Sequence, residues 1–353
     1  MAPALFSQMK QFRLSLAFSE KVVRSMVQNE AVLYVITSFY HFVKIDEPVK
    51  LQKACIKFML ENQLKGTMLI ATEGLNATVA GQRESINALH DWLHQDIRFT
   101  HLKYKKSYSK NMPFLRAKVK LKAEIVTLGQ PDLDPGTQTG TYVKPEDWNQ
   151  LIQSPDVTLV DTRNDYEVQI GTFQNAINPN TASFREFPEF AKTELDPKIH
   201  KKVAMFCTGG IRCEKSTAYL NSLGFEAVYH LDGGILQYLE DIPESESLWQ
   251  GECFVFDERV AVNHRLQPGG YLQCHACRLP LSEADLHSAD YVKGVSCPHC
   301  VSKTTQAQRA RFLEREKQVQ LANARGQTHI GSEAKIHQQQ NRKTKQQLKS
   351  QQS

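Results

Sequence analysis

The sequence predicts a multidomain α/β protein with three unlike parts: an N-terminal α+β sandwich, a central parallel α/β domain and a small four-cysteine segment. Three observations carry that expectation. Strand and helix signals alternate over residues 31–128, and a second run of apolar strands and helices, βαβα, fills residues 145–244. Two C-x2-C pairs, Cys274/Cys277 and Cys297/Cys300, then stand nineteen residues apart. At 353 residues the chain exceeds the usual size of one compact domain, and 41% apolar with 23% charged residues is ordinary globular usage.

Residues 1–30 form an extension with Lys10, Arg13, Lys21 and Arg24 but little acid, a faint transit-peptide pattern without a small-residue cleavage site. From there, residues 32–36 are β-rich. Val49, Cys55, Ile56, Phe58, Met59 and Leu60 fall near helical spacing over 48–62. Short strands are expected at 66–71 and 75–80 around Glu73-Gly74, a helix at 85–94, and strands at 100–108 and 116–125. That order is a split βαβ, ferredoxin-like sandwich. Such sandwiches bind RNA or proteins, and fold alone does not settle which.

One stretch of this domain interleaves bases and aromatics. Lys103, Tyr104, Lys105, Lys106 and Tyr108 suit phosphate contact and base stacking, or equally an edge strand with a solvated basic face. Glu73 and Asn76 are explained well enough by a capped turn. Residues 129–144, rich in Pro, Gly, Asp and Thr, read as a linker.

In the central domain, strands are expected at 158–161, 176–177, 203–206 and 227–231, with helices at 214–223 and 234–239. Ligands of such sheets sit at the carboxyl ends of strands, and Cys207 falls at one. In the run Cys207-Thr208-Gly209-Gly210-Ile211-Arg212, the glycines let N–H groups converge on sulfur. The following helix points its positive end inward, and Arg212 adds a full charge. A lowered thiol pKa and a nucleophile follow.

This loop resembles that of the rhodanese family. Asp161-Thr162-Arg163 stands where the family has D-x-R, and Asp232-Gly233-Gly234-Ile235 matches its late Gly-Gly turn. By that resemblance Thr208, Gly209, Gly210, Asp161 and Arg163 support the loop rather than react. Cysteine phosphatases need C-x5-R, and the C-x4-R spacing here makes a cradle poorly sized for phosphate. Cys213, next after the loop, is expected to diverge from Cys207 and to pack as a small buried residue.

The C-x2-C-x19-C-x2-C spacing is that of a structural four-cysteine zinc site, a zinc-ribbon-like segment spanning about 252–302. His275 and His299, inside the knuckles, are the substitute ligands. A reducing, cytoplasmic location suits eight cysteines with this usage. No run is apolar enough to span a membrane. The net charge of +5 belongs to the tail: residues 301–353 carry eleven Lys or Arg against three Glu. A basic tail suits a polyanion such as RNA, or is simply a solvated end that is disordered from about 338.

Taken together, the chain resembles one family closely over about 32–300. An N-terminal domain containing Gly66-Thr67-Met68-Leu69-Ile70-Ala71-Thr72-Glu73-Gly74-Leu75-Asn76-Ala77, the loop C-T-G-G-I-R-C-E-K, Phe254-Val255-Phe256-Asp257-Glu258-Arg259 and the cysteine pairs are similar to the TrhO family of rhodanese-domain tRNA uridine hydroxylases. The resemblance implies oxygen-dependent hydroxylation of the wobble uridine (position 34) of tRNA to 5-hydroxyuridine. Dioxygen is then a co-substrate, tRNA the partner and Cys207 the essential residue, with Arg212 beside it. No nucleotide fingerprint or iron triad marks what activates oxygen, and no protein partner is identifiable. Sulfur transfer through a Cys207 persulfide, or RNA binding without catalysis, are the other functions open to this sequence.

Overall fold

The computed structural model describes residues 33–327 and 331. The extension expected over 1–30 and the tail from about 338 lie outside the described residues. The N-terminal domain runs β1 (Tyr34–Phe42), α1 (Pro48–Glu61), β2 (Lys65–Ala71), β3 (Gly74–Gly81), α2 (Arg83–His94), β4 (Lys105–Ser109) and β5 (Ala117–Leu121). Its sheet order, β4-β1-β3-β2-β5, is the ferredoxin-like sandwich with β5 added parallel to β2 at one edge. Alternation along β1 sends Val35 and Phe39 into the core with Leu75, Val79, Leu89 and Met59. The other face carries Ser38, Tyr40 and Phe42, and it turns toward the central domain. The strand expected from residue 100 begins only at 105, because Ile97–Phe99 forms a 3-10 turn that plugs Phe99 into the core.

The central domain follows: α3 (Pro135–Gln138), β6 (Thr141–Val143), α4 (Pro145–Ile152), β7 (Val157–Asp161), α5 (Asp165–Val168), β8 (Gly171–Phe173), α6 (Phe187–Glu194), β9 (Lys202–Phe206), α7 (Ile211–Ser222), β10 (Ala227–Leu231) and α8 (Gly234–Asp241). Its sheet, β6-β10-β9-β7, is parallel throughout. The linker expected over 129–144 runs into β6 from Thr141 onward, since Tyr142 and Val143 pair with His230 and Leu231 as an edge strand. Residues 176–177 make a single parallel bridge to β7 rather than a strand. Val203 and Met205 point into one apolar layer and Ala204 and Phe206 into the other, so β9 is buried on both faces.

The remainder comprises β11 (Trp249–Gly251), β12 (Cys253–Phe254), β13 (Ala261–Val262), β14 (Leu272–Gln273), β15 (Pro280–Leu281), α9 (Glu283–His287) and α10 (Gln306–Asn323). Residues 252–262, expected with the cysteine pairs, instead join the central core: Cys253, Val255 and Val262 pack with Trp148 and Phe173. The four-cysteine segment has its own small cluster around Leu281. No described helix is long and apolar enough to cross a membrane.

Candidate active site and metal site

Cys207 directly follows β9 and is 1% exposed, at the base of a loop that bends around its sulfur. Gly210, at φ +99°, takes the left-handed turn that directs its N–H to Sγ at 3.1 Å. The N–H groups of Arg212 and Cys213, in the first turn of α7, also point at Sγ. A second glycine turn holds the loop from behind: Ile235 N–H donates to the Cys207 carbonyl (2.9 Å) and Leu236 N–H to that of Thr208 (3.1 Å). A Cβ at Gly234 would collide with the Cys207 carbonyl, which explains Asp232-Gly233-Gly234. Gly209, by contrast, faces open space.

Burial pushes the Cys207 thiol up. A hydrogen bond from the Cys213 thiol, the charge of Arg212 and the convergent N–H groups outweigh it and hold the thiol down at about 5. Cys213 packs as the small buried residue the sequence suggests, in the same apolar cluster as Cys207, but it does not diverge from it. The loop wraps Cys207 inside the first turn of α7, so Cys213 points back at it, with Thr162 Oγ1 3.6 Å from its sulfur. Burial and the contact with Cys207 raise the Cys213 thiol far above its ordinary range, which makes it the donor of the pair.

Arg212 is not a free charge. Its guanidinium forms a fork with Glu167 (Nη1 to Oε2 2.7 Å, Nη2 to Oε1 2.8 Å) and reaches Thr208 Oγ1 at 3.4 Å. Glu167 is fully buried on α5, placed by a capping box with Asn164. Burial pushes its carboxyl up, but Arg212 and Arg163 together hold it below the ordinary carboxylate range. Behind it lies a second fork, Arg163 on Asp161 at 2.6 Å with both side chains 0% exposed, extended by Arg163 to the Gly171 carbonyl (2.6 Å). A chain of buried charge pairs thus positions the loop, and Arg212 acts as much by holding Glu167 and Thr208 as by its field.

The five residues singled out for RNA contact do not share one surface. Tyr104 stacks on His90 (3.6 Å) and packs edge-on to Phe39, inside the N-terminal core. Lys105 crosses to the central domain and donates to the Gly209 carbonyl at 3.2 Å. Strand alternation sends Tyr104 and Lys105 to opposite faces, while Lys103, Lys106 and Tyr108 are exposed. Sequence reasoning missed the seam between the domains. There Tyr40 donates to Glu214 (2.7 Å), and Lys215 bridges Glu73 (2.8 Å) and Glu124 (2.6 Å). Only Glu167 carried a local signal, the Asn164-x-x-Glu167 cap.

In the C-terminal segment the sulfurs of Cys274, Cys277, Cys297 and Cys300 all lie within 4.8 Å of one another. Cys277 to Cys297 is 3.7 Å and Cys297 to Cys300 is 3.6 Å. Tetrahedral ligation with metal–sulfur bonds of about 2.3 Å requires edges of roughly 3.8 Å, so the four thiols can hold a metal ion such as zinc. The β14–β15 hairpin carries the first knuckle, with Arg278 turning at φ +72°. His275 and His299 stay outside the sulfur cluster; His299 faces Asp285 at 3.3 Å.

Residues 34–125 match the UPF0176 acylphosphatase-like domain, and residues 144–241 match the rhodanese-like domain. Among solved structures, a rhodanese-like domain from Anabaena sp. is 16% identical, covering 32% of this chain and 80% of its own, with a TM-score of 0.27. A protein of unknown function from Rhodopseudomonas palustris, described as a possible tyrosine phosphatase, is 24% identical over 33% of this chain and 93% of its own, at 0.26. A polysulfide-sulfur transferase homodimer from Wolinella succinogenes is 29% identical over 29% of this chain and 74% of its own, at 0.24. At these TM-scores none carries functional weight.

Proposed function

Because this chain has the architecture of the UPF0176, or TrhO, family, an acylphosphatase-like domain followed by a rhodanese domain, we propose that it hydroxylates the wobble uridine of tRNA to 5-hydroxyuridine through Cys207. The observation that carries the reading is the buried Cys207 sulfur, held as a thiolate by three N–H groups, the Cys213 thiol and Arg212. Attack of this thiolate on C6 of uracil pushes electron density to C5. One oxygen atom is then bonded to C5, the C5 proton leaves, and expulsion of the thiolate restores the ring. With dioxygen as oxidant, the second oxygen atom leaves as water, using two electrons and two protons from a reductant. Loop N–H groups stabilise charge developing near the sulfur, while Glu167 keeps Arg212 in place.

On this reading the exposed Lys103, Lys106 and Tyr108 meet the RNA, and the basic tail adds attraction for phosphate. Four thiolates leave a bound zinc no open position, so the ion is structural. A reducing, cytoplasmic setting keeps Cys207 and the four ligands as thiols.

The same loop can also carry a persulfide, which is the sulfurtransferase reading that a rhodanese domain admits. Mass spectrometry of tRNA nucleosides from cells with and without the protein separates the two, run beside a thiocyanate assay on the purified protein. Loss of 5-hydroxyuridine on deletion is the expected result. An unchanged nucleoside profile with rapid thiocyanate formation would replace hydroxylation by sulfur transfer.

A further inference from the structure

The ammonium of Lys105 lies among groups that belong to another domain. Its Nζ donates to the Gly209 carbonyl at 3.2 Å, and a Cβ at Gly233 would lie 2.9 Å from it. It therefore sits between the two glycine turns that build the cysteine site. The charged groups facing it from the central domain are Cys207, Asp232 and Glu240, and from the residues just before its strand Lys103. Its hydrogen bond is to a loop carbonyl, not a carboxylate, so its charge is not spent on one anion. Tyr40 makes the second contact of the same seam: its hydroxyl lies over Gly210, where a Cβ would come within 2.9 Å, and donates to Glu214.

We propose that the N-terminal domain completes the cysteine site through Lys105, a positioning residue that pins the Cys207 loop and lends the thiolate a positive charge across the domain seam. This deepens the reading of Cys207 as a thiolate nucleophile and does not depend on which RNA it acts on. Burial lowers the Lys105 ammonium to about 8, against the attraction of Cys207, Asp232 and Glu240, so it remains mostly protonated at neutral pH. The remaining charged or titratable groups packed around the sulfur are Arg212 and Cys213 from α7, Glu214 beyond them and Tyr40 from β1. Lys105 is the cation among them that the central domain does not itself provide. The arrangement also explains why the acylphosphatase-like domain docks by its open sheet face: that face delivers Tyr40 and Lys105 to the loop.

The test is the pH profile of Cys207 alkylation by iodoacetamide in the full chain, read at the Cys207 peptide by mass spectrometry. Lys105→Met should move the midpoint up by about one pH unit, which slows alkylation about twofold at pH 6 and about fivefold at pH 5. Lys105→Gln, which keeps a donor for Gly209 but no charge, should shift it equally. Lys105→Arg should restore most of the wild-type profile, and the exposed variant Lys110→Met should not move it. A wild-type midpoint in a folded Lys105→Gln or Lys105→Met chain overturns the proposal. The assay contains no RNA, so a failure of tRNA hydroxylation would leave its outcome intact.

Discussion

Cys207 and Cys297 are both buried cysteines in tight turns, yet their surroundings give them opposite chemistry. Around Cys207 are N–H donors, one neighbouring thiol and cations, with open space beyond Gly209. Around Cys297 are three more sulfurs. The first arrangement stabilises a single negative charge. The second concentrates thiolate charge of the kind that a metal ion balances. Sulfur reactivity in this chain is thus set by what converges on each atom, not by burial.

The largest expected effect sharpens that contrast. Cys297→Ser should abolish metal binding and unfold residues 272–302, since structural zinc binding is worth about 10–16 kcal/mol in small domains. Metal analysis and hydrogen exchange would show it, while Cys207 alkylation stays at its wild-type rate. A segment that remained protected without metal would break the comparison. Next, Glu167→Ala strands Arg212 without its partner in the interior and should cost about 3–5 kcal/mol, read from chemical denaturation. A loss under 1 kcal/mol would mean that the fork does not hold the loop. Gly234→Ala places a Cβ against the Cys207 carbonyl at φ +68° and should cost roughly 1–3 kcal/mol. It should also slow alkylation, and unchanged stability and rate would remove the second glycine turn from the account.

The smallest effect concerns the thiol pair. Cys213→Ala removes a donor to the thiolate and should raise the Cys207 midpoint by about one pH unit, some 1.4 kcal/mol. Because the folded thiol is held below its unfolded value, it contributes stability that is full above the ordinary thiol range and lost as pH falls toward 5. The variant should lose part of that dependence. Denaturation midpoints across pH 5–9 check it, and parallel curves for the two proteins would count against the hydrogen bond.

The parts of the site written in adjacent residues were legible in the sequence. Gly209, Gly210, Gly233 and Gly234 announce turns, and the spacing of Cys274, Cys277, Cys297 and Cys300 announces ligation, because both depend on local geometry. What escaped was long range. Glu167 meets Arg212 across 45 residues and Tyr40 meets Glu214 across 174, and no periodicity encodes such pairs. Lys105 looked like a surface base for RNA because its stretch is basic, whereas strand alternation turns it inward onto the Gly209 carbonyl. The direction of Cys213, though not its burial, escaped for a related reason: the direction of a side chain in a first helical turn depends on how the preceding loop enters. The fold fared similarly. The βαββαβ order was readable, but β5 was not recognisable as an added edge, and β6 was hidden in a Gly- and Thr-rich stretch that pairs only because β10 lies beside it.

Cells lacking the protein, supplied with either the wild-type or the Cys207→Ser chain, would have their tRNA nucleosides quantified while tRNA binding by both purified chains is compared. The expected result is 5-hydroxyuridine restored by the wild type only, with tRNA affinity nearly equal. Restoration of 5-hydroxyuridine by Cys207→Ser would contradict the thiolate mechanism.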